Sequence, residues 1–289
     1  MNNSLKDILK DGTVLSGELS KKVSVFIDEL ENLGSLAVGF SGGVDSSFLL
    51  AAAKEVLGEK VIAVTAYAPF IPEREQREAK EFCEKRGIKQ ILFMANSMEL
   101  EEFVHNIPER CYFCKKMIFT EIKRIAGENG IDYVAEGSNL DDIGDYRPGM
   151  KAVGELSIQS PLKNAGLTKA DIRLLSEYMG LPTWNKPSYA CLASRFVYRE
   201  EITEEKLAMV DGAEQYLIDR GFIQERVRVH GNLARIEVIP DDITRIAERE
   251  TREAVYREFK KLGFLYVTLD MAGYRTGSMN DVLKTRQKG

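Results

Sequence analysis

The chain has 289 residues, 44% of them hydrophobic, with 40 Lys and Arg against 45 Asp and Glu for a formal net charge of −5. That length and apolar content suit one large domain or two ordinary ones. The lack of a basic excess argues against extensive nonspecific nucleic-acid binding, though it leaves room for a local basic patch.

Residues 1–15 show no apolar signal core, and no stretch approaches the ~18 consecutive apolar residues of a membrane span. The expectation is a soluble cytoplasmic protein without a membrane partner. Within residues 1–34 a helix follows a polar lead-in, because Val23, Phe26, Ile27, Leu30 and Leu33 recur at helical spacing. "LAVGF" (36–40) is predicted as a buried strand, and "SSFLLAAAKEVLG" (46–58) as a helix closed by Gly58. "KVIAVTAYA" (60–68) is a second strand, and "PEREQREAKEFCEKRG" (72–87) a helix between Pro72 and Gly87. "KQILFMA" (89–95) is a third strand, "CYFCKKMIFTEIKRIAGENG" (111–130) a helix and "DYVAEG" (132–137) a fourth strand. Strands that are apolar almost throughout, alternating with helices, predict an α/β fold. Its core is a doubly wound parallel sheet covered on both faces.

The texture changes near residue 200. A long amphipathic helix (203–221) precedes "ERVRVHG" and "LARIEVIP", which alternate like half-buried strands joined by a Gly-Asn turn. A charged helical stretch (241–262) and "FLYVTLD" (264–270) follow. This predicts two domains, residues 1–200 and a smaller α+β domain at 201–289. Between them, "LPTWNKPSYACLASRF" (181–196) is irregular and carries Pro182 and Pro187. Long loops of that kind often hold function.

"SGGVDSS" (41–47) connects the first strand to its helix. Gly42 and Gly43 can adopt positive φ and let a ligand approach the backbone. Their N–H groups, with the positive end of the following helix and the hydroxyls of Ser41, Ser46 and Ser47, would form a phosphate site. The Walker order and its lysine are missing, and so is G-x-G-x-x-G. The plainer alternative is a tight turn capped by Asp45 or Ser46. The heptapeptide resembles the PP-loop of the ATP pyrophosphatases, a group with a HUP-like fold. The resemblance implies cleavage of ATP between its α and β phosphates. Ser41, Gly42, Gly43, Asp45 and Ser46 would then cradle pyrophosphate, with Asp45 near Mg2+.

Four cysteines are too few for a disulfide scaffold in a chain of this length. Cys111 and Cys114 form C-x-x-C at a helix start, which favours thiolate and suits metal binding or redox work. Cys191 lies in the Pro-bounded loop. The residues leave several readings open: ordinary thiols, zinc completed by His105 or His230, or a cluster on three cysteines with one open iron. Cys83, beside Phe82, reads as a small buried apolar residue.

"EGSNLDDIGDYRPGMKA", "SPLKNAGLTKADIR" and "GLPTWNKPSYACLASRF" together are similar to the LarE family, over about residues 20–270. "KPSYACLASR" is the most specific part. The resemblance implies an ATP-dependent sulfur transferase of nickel-pincer cofactor synthesis. Such enzymes adenylate the two carboxylates of pyridinium-3,5-biscarboxylic acid mononucleotide and convert them to thiocarboxylates. One form of the family gives up the sulfur of the cysteine matching Cys191. Another holds a [4Fe-4S] cluster on three cysteines, matched here by Cys111, Cys114 and Cys191, and an external sulfide donor recharges it. The three-cysteine form is the expectation.

Asn139, Asp141, Asp142 and Arg147 follow the fourth strand, where open α/β sheets bind ligands; a solvated loop is the alternative. Ser194 and Arg195 could orient the nucleotide, and Trp184 reads as packing. Arg226 and Arg228 share one strand face, with Arg235 on the next strand, and paired arginines suit phosphate. By resemblance, this would be the substrate-phosphate site, with acidic metal contacts at Glu214 and Glu237. A homo-oligomer is also expected. Two rivals are a tRNA thiolase, opposed by the acidic balance, and a nucleotide-responsive cluster sensor without catalysis.

Overall fold

Four apolar runs pair as a parallel sheet in the order β3-β2-β1-β4. The protein is seen here as a computed structural model that describes residues 4, 5, 7, 17–143, 148–187 and 190–275. The elements of the first unit are α1 (Gly17–Leu33), β1 (Leu36–Gly39), α2 (Val44–Leu57), β2 (Val61–Tyr67), α3 (Glu73–Lys85) and β3 (Lys89–Met94). They continue with α4 (Arg110–Glu128), β4 (Val134–Ala135), α5 (Gly149–Glu155), α6 (Pro161–Asn164) and α7 (Lys169–Tyr178).

Side chains alternate across a strand, and here both sets are buried. Leu36, Val38, Val61, Ala63 and Ala135 join Phe26, Leu30, Phe48 and Phe82 in one layer. Ala37, Ile62, Val64 and Val134 join Phe119, Ile122, Ile125 and Val153 in the other. Covering both faces is why β1 and β2 carry no polar alternation. β4 is shorter than the predicted 132–137. Past Ala135 the chain bonds to residue 159: Glu136 N–H donates to Gln159 O at 3.0 Å, and Gln159 N–H to Val134 O at 2.8 Å. β2 and β3 lie on one side of β1, and β4 on the other. The order reverses at β1/β4, and the C-terminal ends of these strands form the crevice where such sheets bind ligands.

The second unit comprises Pro69–Pro72, Met98–Pro108 and the chain from Ala190 onward. Beside a single helical turn at Glu101–Val104, its elements are α8 (Glu204–Ile218), β5 (Glu225–His230), β6 (Leu233–Val238), α9 (Ile243–Ala247), α10 (Arg249–Lys261) and β7 (Tyr266–Leu269). β5 and β6 form an antiparallel hairpin, and β7 runs parallel to β6. The segments 69–72 and 98–108 fall inside the expected 1–200 domain yet pack here: Phe70 and Phe103 have ring centroids 4.9 Å apart. Asn106 donates from Nδ2 to Val197 O at 2.7 Å. The charged stretch 241–262 is not one helix. Glu248 adopts extended backbone between α9 and α10, which breaks the helical path. β5 is also not half-buried, since Glu225 through Val229 are all buried.

Candidate active site

In the first unit, β1 leads through Phe40 into the Ser-Gly-Gly turn, and Gly43 is the N-cap of α2. Gly42 has φ +73°, and a Cβ there would stand 3.3 Å from the Ala79 Cβ. The positive φ favours glycine, and the tight approach to Ala79 adds to that preference. Ser41 and Ser46 hydroxyls lie 3.1 Å apart, and Ser46 donates to Gly43 O at 3.2 Å. The loop meets the exit of β4 closely, since a Cβ on Gly137 would sit 2.9 Å from the Ser46 N. Asn139 then reaches Asp45, with Nδ2 donating to Oδ1 at 3.3 Å. Asn139 also caps its own turn, accepting from the Asp141 N–H at 2.9 Å, while its N–H donates to Asp142 Oδ2 at 3.0 Å. Thus Ser41, Gly42, Gly43, Asp45, Ser46 and Asn139 converge at the sheet's reversal point. Arg147 lies outside the described residues.

Two lysines that the sequence reading does not single out flank this loop. Lys169 Nζ pairs with Asp45 Oδ2, while its N–H donates to Asp141 Oδ2 at 2.8 Å. Its only sequence signal is a helix start, the Thr168/Asp171 capping box. Lys186 Nζ donates to Gly42 O at 3.2 Å, Glu75 Oε2 at 2.7 Å and Glu78 Oε2 at 2.6 Å. It sits at the head of "KPSYACLASR". N–H groups at a helix start with ammonium groups on two sides suit a polyphosphate. One carboxylate beside phosphate oxygens is a donor set that fits Mg2+.

Cys111 is exposed and Cys114 half-buried in the first turns of α4, with Cys114 Sγ 3.2 Å from the buried Ser97 hydroxyl. In the second unit, the half-buried Cys191 precedes a short turn, Leu192–Arg195. Among the described residues no three His, Cys, Asp or Glu side chains are grouped so as to hold a metal ion. His105 is exposed. His230 Nε2 accepts from Arg235 Nε at 3.1 Å; burial, then the Arg235 charge, hold the imidazole below its ordinary pKa. Cys83 is buried, and its thiol is pushed up to about 12 by burial and by Glu84.

Arg195 and Glu214 differ most from expectation. Both are fully buried. Arg195 Nε and Nη2 donate to the two Glu214 oxygens at 2.9 and 2.7 Å. Arg195 Nη1 holds Ala190 O at 2.6 Å, Cys191 O at 3.2 Å and the Ser194 hydroxyl at 2.9 Å. Glu214 also accepts from the Val227 N–H at 2.9 Å. Arg195 is thus turned inward to brace the loop of Cys191 rather than outward to a nucleotide, and protein donors engage both Glu214 oxygens. Burial opposes the Glu214 charge, but Arg195 and its hydrogen bonds outweigh that, so the carboxyl stays below its usual range.

Arg226 pairs with Glu237 in register and Arg228 with Arg235, which puts all four on one sheet face. That face is closed rather than solvated: Arg226 and Arg228 are buried. Arg228 donates to Glu237 Oε2 from Nε at 3.1 Å and Nη2 at 2.9 Å, and to Ser194 O at 2.9 Å. Arg235 bonds the other Glu237 oxygen at 3.2 Å and also Asp270. Glu237, like Glu214, is engaged by guanidinium groups. Trp184 is 38% exposed, so its ring is only partly packed.

The parallel sheet, its glycine turn and the convergent Asp45 and Asn139 define a PP-loop ATP-using domain. A family model described as NAD synthase matches residues 19–111. A glutamine-hydrolyzing GMP synthase subunit of Archaeoglobus fulgidus is 26% identical over 157 residues, 52% of each chain. An uncharacterized protein of Synechocystis is 41% identical over 246 residues, 85% of this chain and 92% of that one. The pyridinium-3,5-bisthiocarboxylic acid mononucleotide synthase of Lactiplantibacillus plantarum is 36% identical over 271 residues, 93% of this chain and 97% of that one. The chain belongs to the LarE family of PP-loop enzymes. Among the described residues no helix is long and apolar enough to cross a membrane.

Proposed function

We propose that this protein is an ATP-dependent sulfur transferase acting in the cytoplasm as a homo-oligomer. Its substrate would be pyridinium-3,5-biscarboxylic acid mononucleotide, and its product the thiocarboxylate. The observation that carries the reading is the Ser41–Ser46 loop with Asp45 and Asn139 at the sheet's reversal point, in a chain that is similar along nearly its whole length to a synthase of that name.

A substrate carboxylate oxygen attacks the α phosphorus of ATP. The bond to the β-phosphate oxygen breaks, and pyrophosphate leaves into the loop. N–H groups at Gly42, Gly43 and the start of α2 stabilise the charge that gathers on the leaving group. Asp45 would hold Mg2+, which neutralises phosphate oxygens when bound. Sulfide from a donor then adds to the acyl carbon, and AMP departs with its oxygen, leaving thiocarboxylate, AMP and a proton. Adenylation is needed because a carboxylate oxygen is a poor leaving group. Arg226 and Arg228 would bind the substrate phosphate. The closed ion pairs of Glu214 and Glu237 favour a bracing role for these two over metal contact.

Cys111, Cys114 and Cys191 would hold the [4Fe-4S] cluster of the three-cysteine form, which would carry sulfide. The presence of all three residues supports this. ATP–pyrophosphate exchange with the dicarboxylate mononucleotide tests the first half, and Asp45→Ala should abolish it. Exchange that persists in that variant, or none in the wild type, would overturn the reading. Anaerobic protein with about four iron per chain would support the cluster. Iron-free protein that loses sulfur from Cys191 after one turnover would exclude it.

A further inference from the structure

The loop has no lysine of its own, yet a nearly buried lysine from far along the chain holds it from behind. The Lys186 side chain is 11% exposed and grips the carbonyl of Gly42, with Glu75 and Glu78 as counter-charges. Its backbone is pinned too: Arg173, on α7, donates to Trp184 O at 2.7 Å and Lys186 O at 2.8 Å.

That grip has a geometric consequence. In a planar trans peptide the C=O of one residue and the N–H of the next point in opposite directions, and no peptide among the described residues is cis. Anchoring Gly42 O on Lys186 therefore turns the Gly43 N–H the other way, toward Ser41, whose hydroxyl is 3.5 Å off. That is too long for a strong bond, so the N–H is poised for a better acceptor. Two adjacent glycines make this peptide the easiest in the loop to flip, because glycine accepts either sign of φ. A flip would point a carbonyl oxygen at the phosphates. Glu75 and Glu78 would add negative charge beside them were the ammonium absent.

We propose that Lys186 is a positioning residue that locks the Gly42–Gly43 peptide with its N–H toward the phosphates and neutralises the two glutamates behind the loop. The inference rests on the nucleotide reading above.

Calorimetry with magnesium pyrophosphate, magnesium ATP and AMP tests it. Lys186→Met should weaken pyrophosphate and ATP by ~tenfold or more, the scale of one hydrogen bond to a charged group, and AMP by less than about twofold. Lys186→Arg should restore most of the loss. Arg173→Gln, which frees the backbone but keeps the ammonium, should give a smaller loss of the same selectivity. A wild type that takes up no pyrophosphate overturns the nucleotide reading and the lock with it. A wild type that binds, beside variants that either match it or lose AMP in equal measure, overturns the lock alone.

Discussion

Arg195→Met is the sharpest probe of the second unit. It removes a fully buried guanidinium and leaves Glu214, equally buried, with the Val227 N–H and the charge of Arg226. Breaking a buried pair costs about 3–5 kcal/mol, because one charge is stranded. For a chain of this size each kcal/mol is about 2–4 °C in Tm, so the variant should melt ~10 °C lower near neutral pH. The sign with pH is diagnostic. In the wild type Glu214 is held below its usual range, so its stabilisation is present above the unfolded pKa and fades as pH falls through the folded one. Without Arg195, burial dominates and raises the Glu214 pKa. The folded form then favours the protonated acid, and Arg195→Met should lose less at pH 5 than at pH 8. Arg195→Met/Glu214→Leu should recover most of the loss, since an apolar replacement of both partners is often nearly neutral. Calorimetric melts across that range decide it. A single variant within about 2 °C of wild type at pH 8, or a double variant no better than the single, would refute the reasoning.

Lys169→Met should free Asp45 for metal. The pair is partly exposed, 27% and 22%, and a screened pair of that kind is worth under ~1 kcal/mol. Half-saturating Mn2+ with ATP, read by electron paramagnetic resonance, should fall about threefold, and an unchanged value would count against competition. Gly137→Ala places a methyl 2.9 Å from the Ser46 N, where backbone cannot yield. It should cost roughly 1–3 kcal/mol and weaken ATP, while Gly127→Ala, with open space around it, is neutral or slightly stabilising. Arg228→Met removes two buried hydrogen bonds to one Glu237 oxygen and leaves Arg235 on the other, whereas Arg226→Met removes a cation that burial and then Arg195 already disfavour. Both should weaken mononucleotide binding, but Arg228→Met should lower Tm more; equal losses would contradict that asymmetry. Iodoacetamide at pH 8 should label Cys111 in folded protein and reach Cys83 only after unfolding, given a thiol near 12. Rapid native labelling of Cys83 would sink that.

The sheet and the phosphate loop were legible because their causes are local. A strand buried on both faces must be apolar throughout, and a turn with φ +73° close to Ala79 favours glycine. The flanking lysines were not. Lys169 and Lys186 stand 124 and 144 positions from their loop partners, and the fold alone decides that these two of many basic residues arrive there. The limits of β4 were hidden for a similar reason. "DYVAEG" is strand-like over its length, but its neighbour across the edge is residue 159, which no pattern at 132–137 announces.

The arginines show how burial changes what a residue pattern means. Glu214, Glu237, Arg195, Arg226 and Arg228 look in sequence like a ligand set, because carboxylates and guanidiniums are the usual partners of metals and phosphates. A dry interior forces the same groups to neutralise one another first. Arg195 and Glu214 have done so completely, and Arg228 and Glu237 almost so. At Arg226, burial and then the Arg195 charge pull against protonation while Glu214 and Glu225 favour it, and the Tyr274 ring lies 5.2 Å away. The sequence shows the charged residues of this face, but which of them pair with one another emerges only once the side chains are buried together.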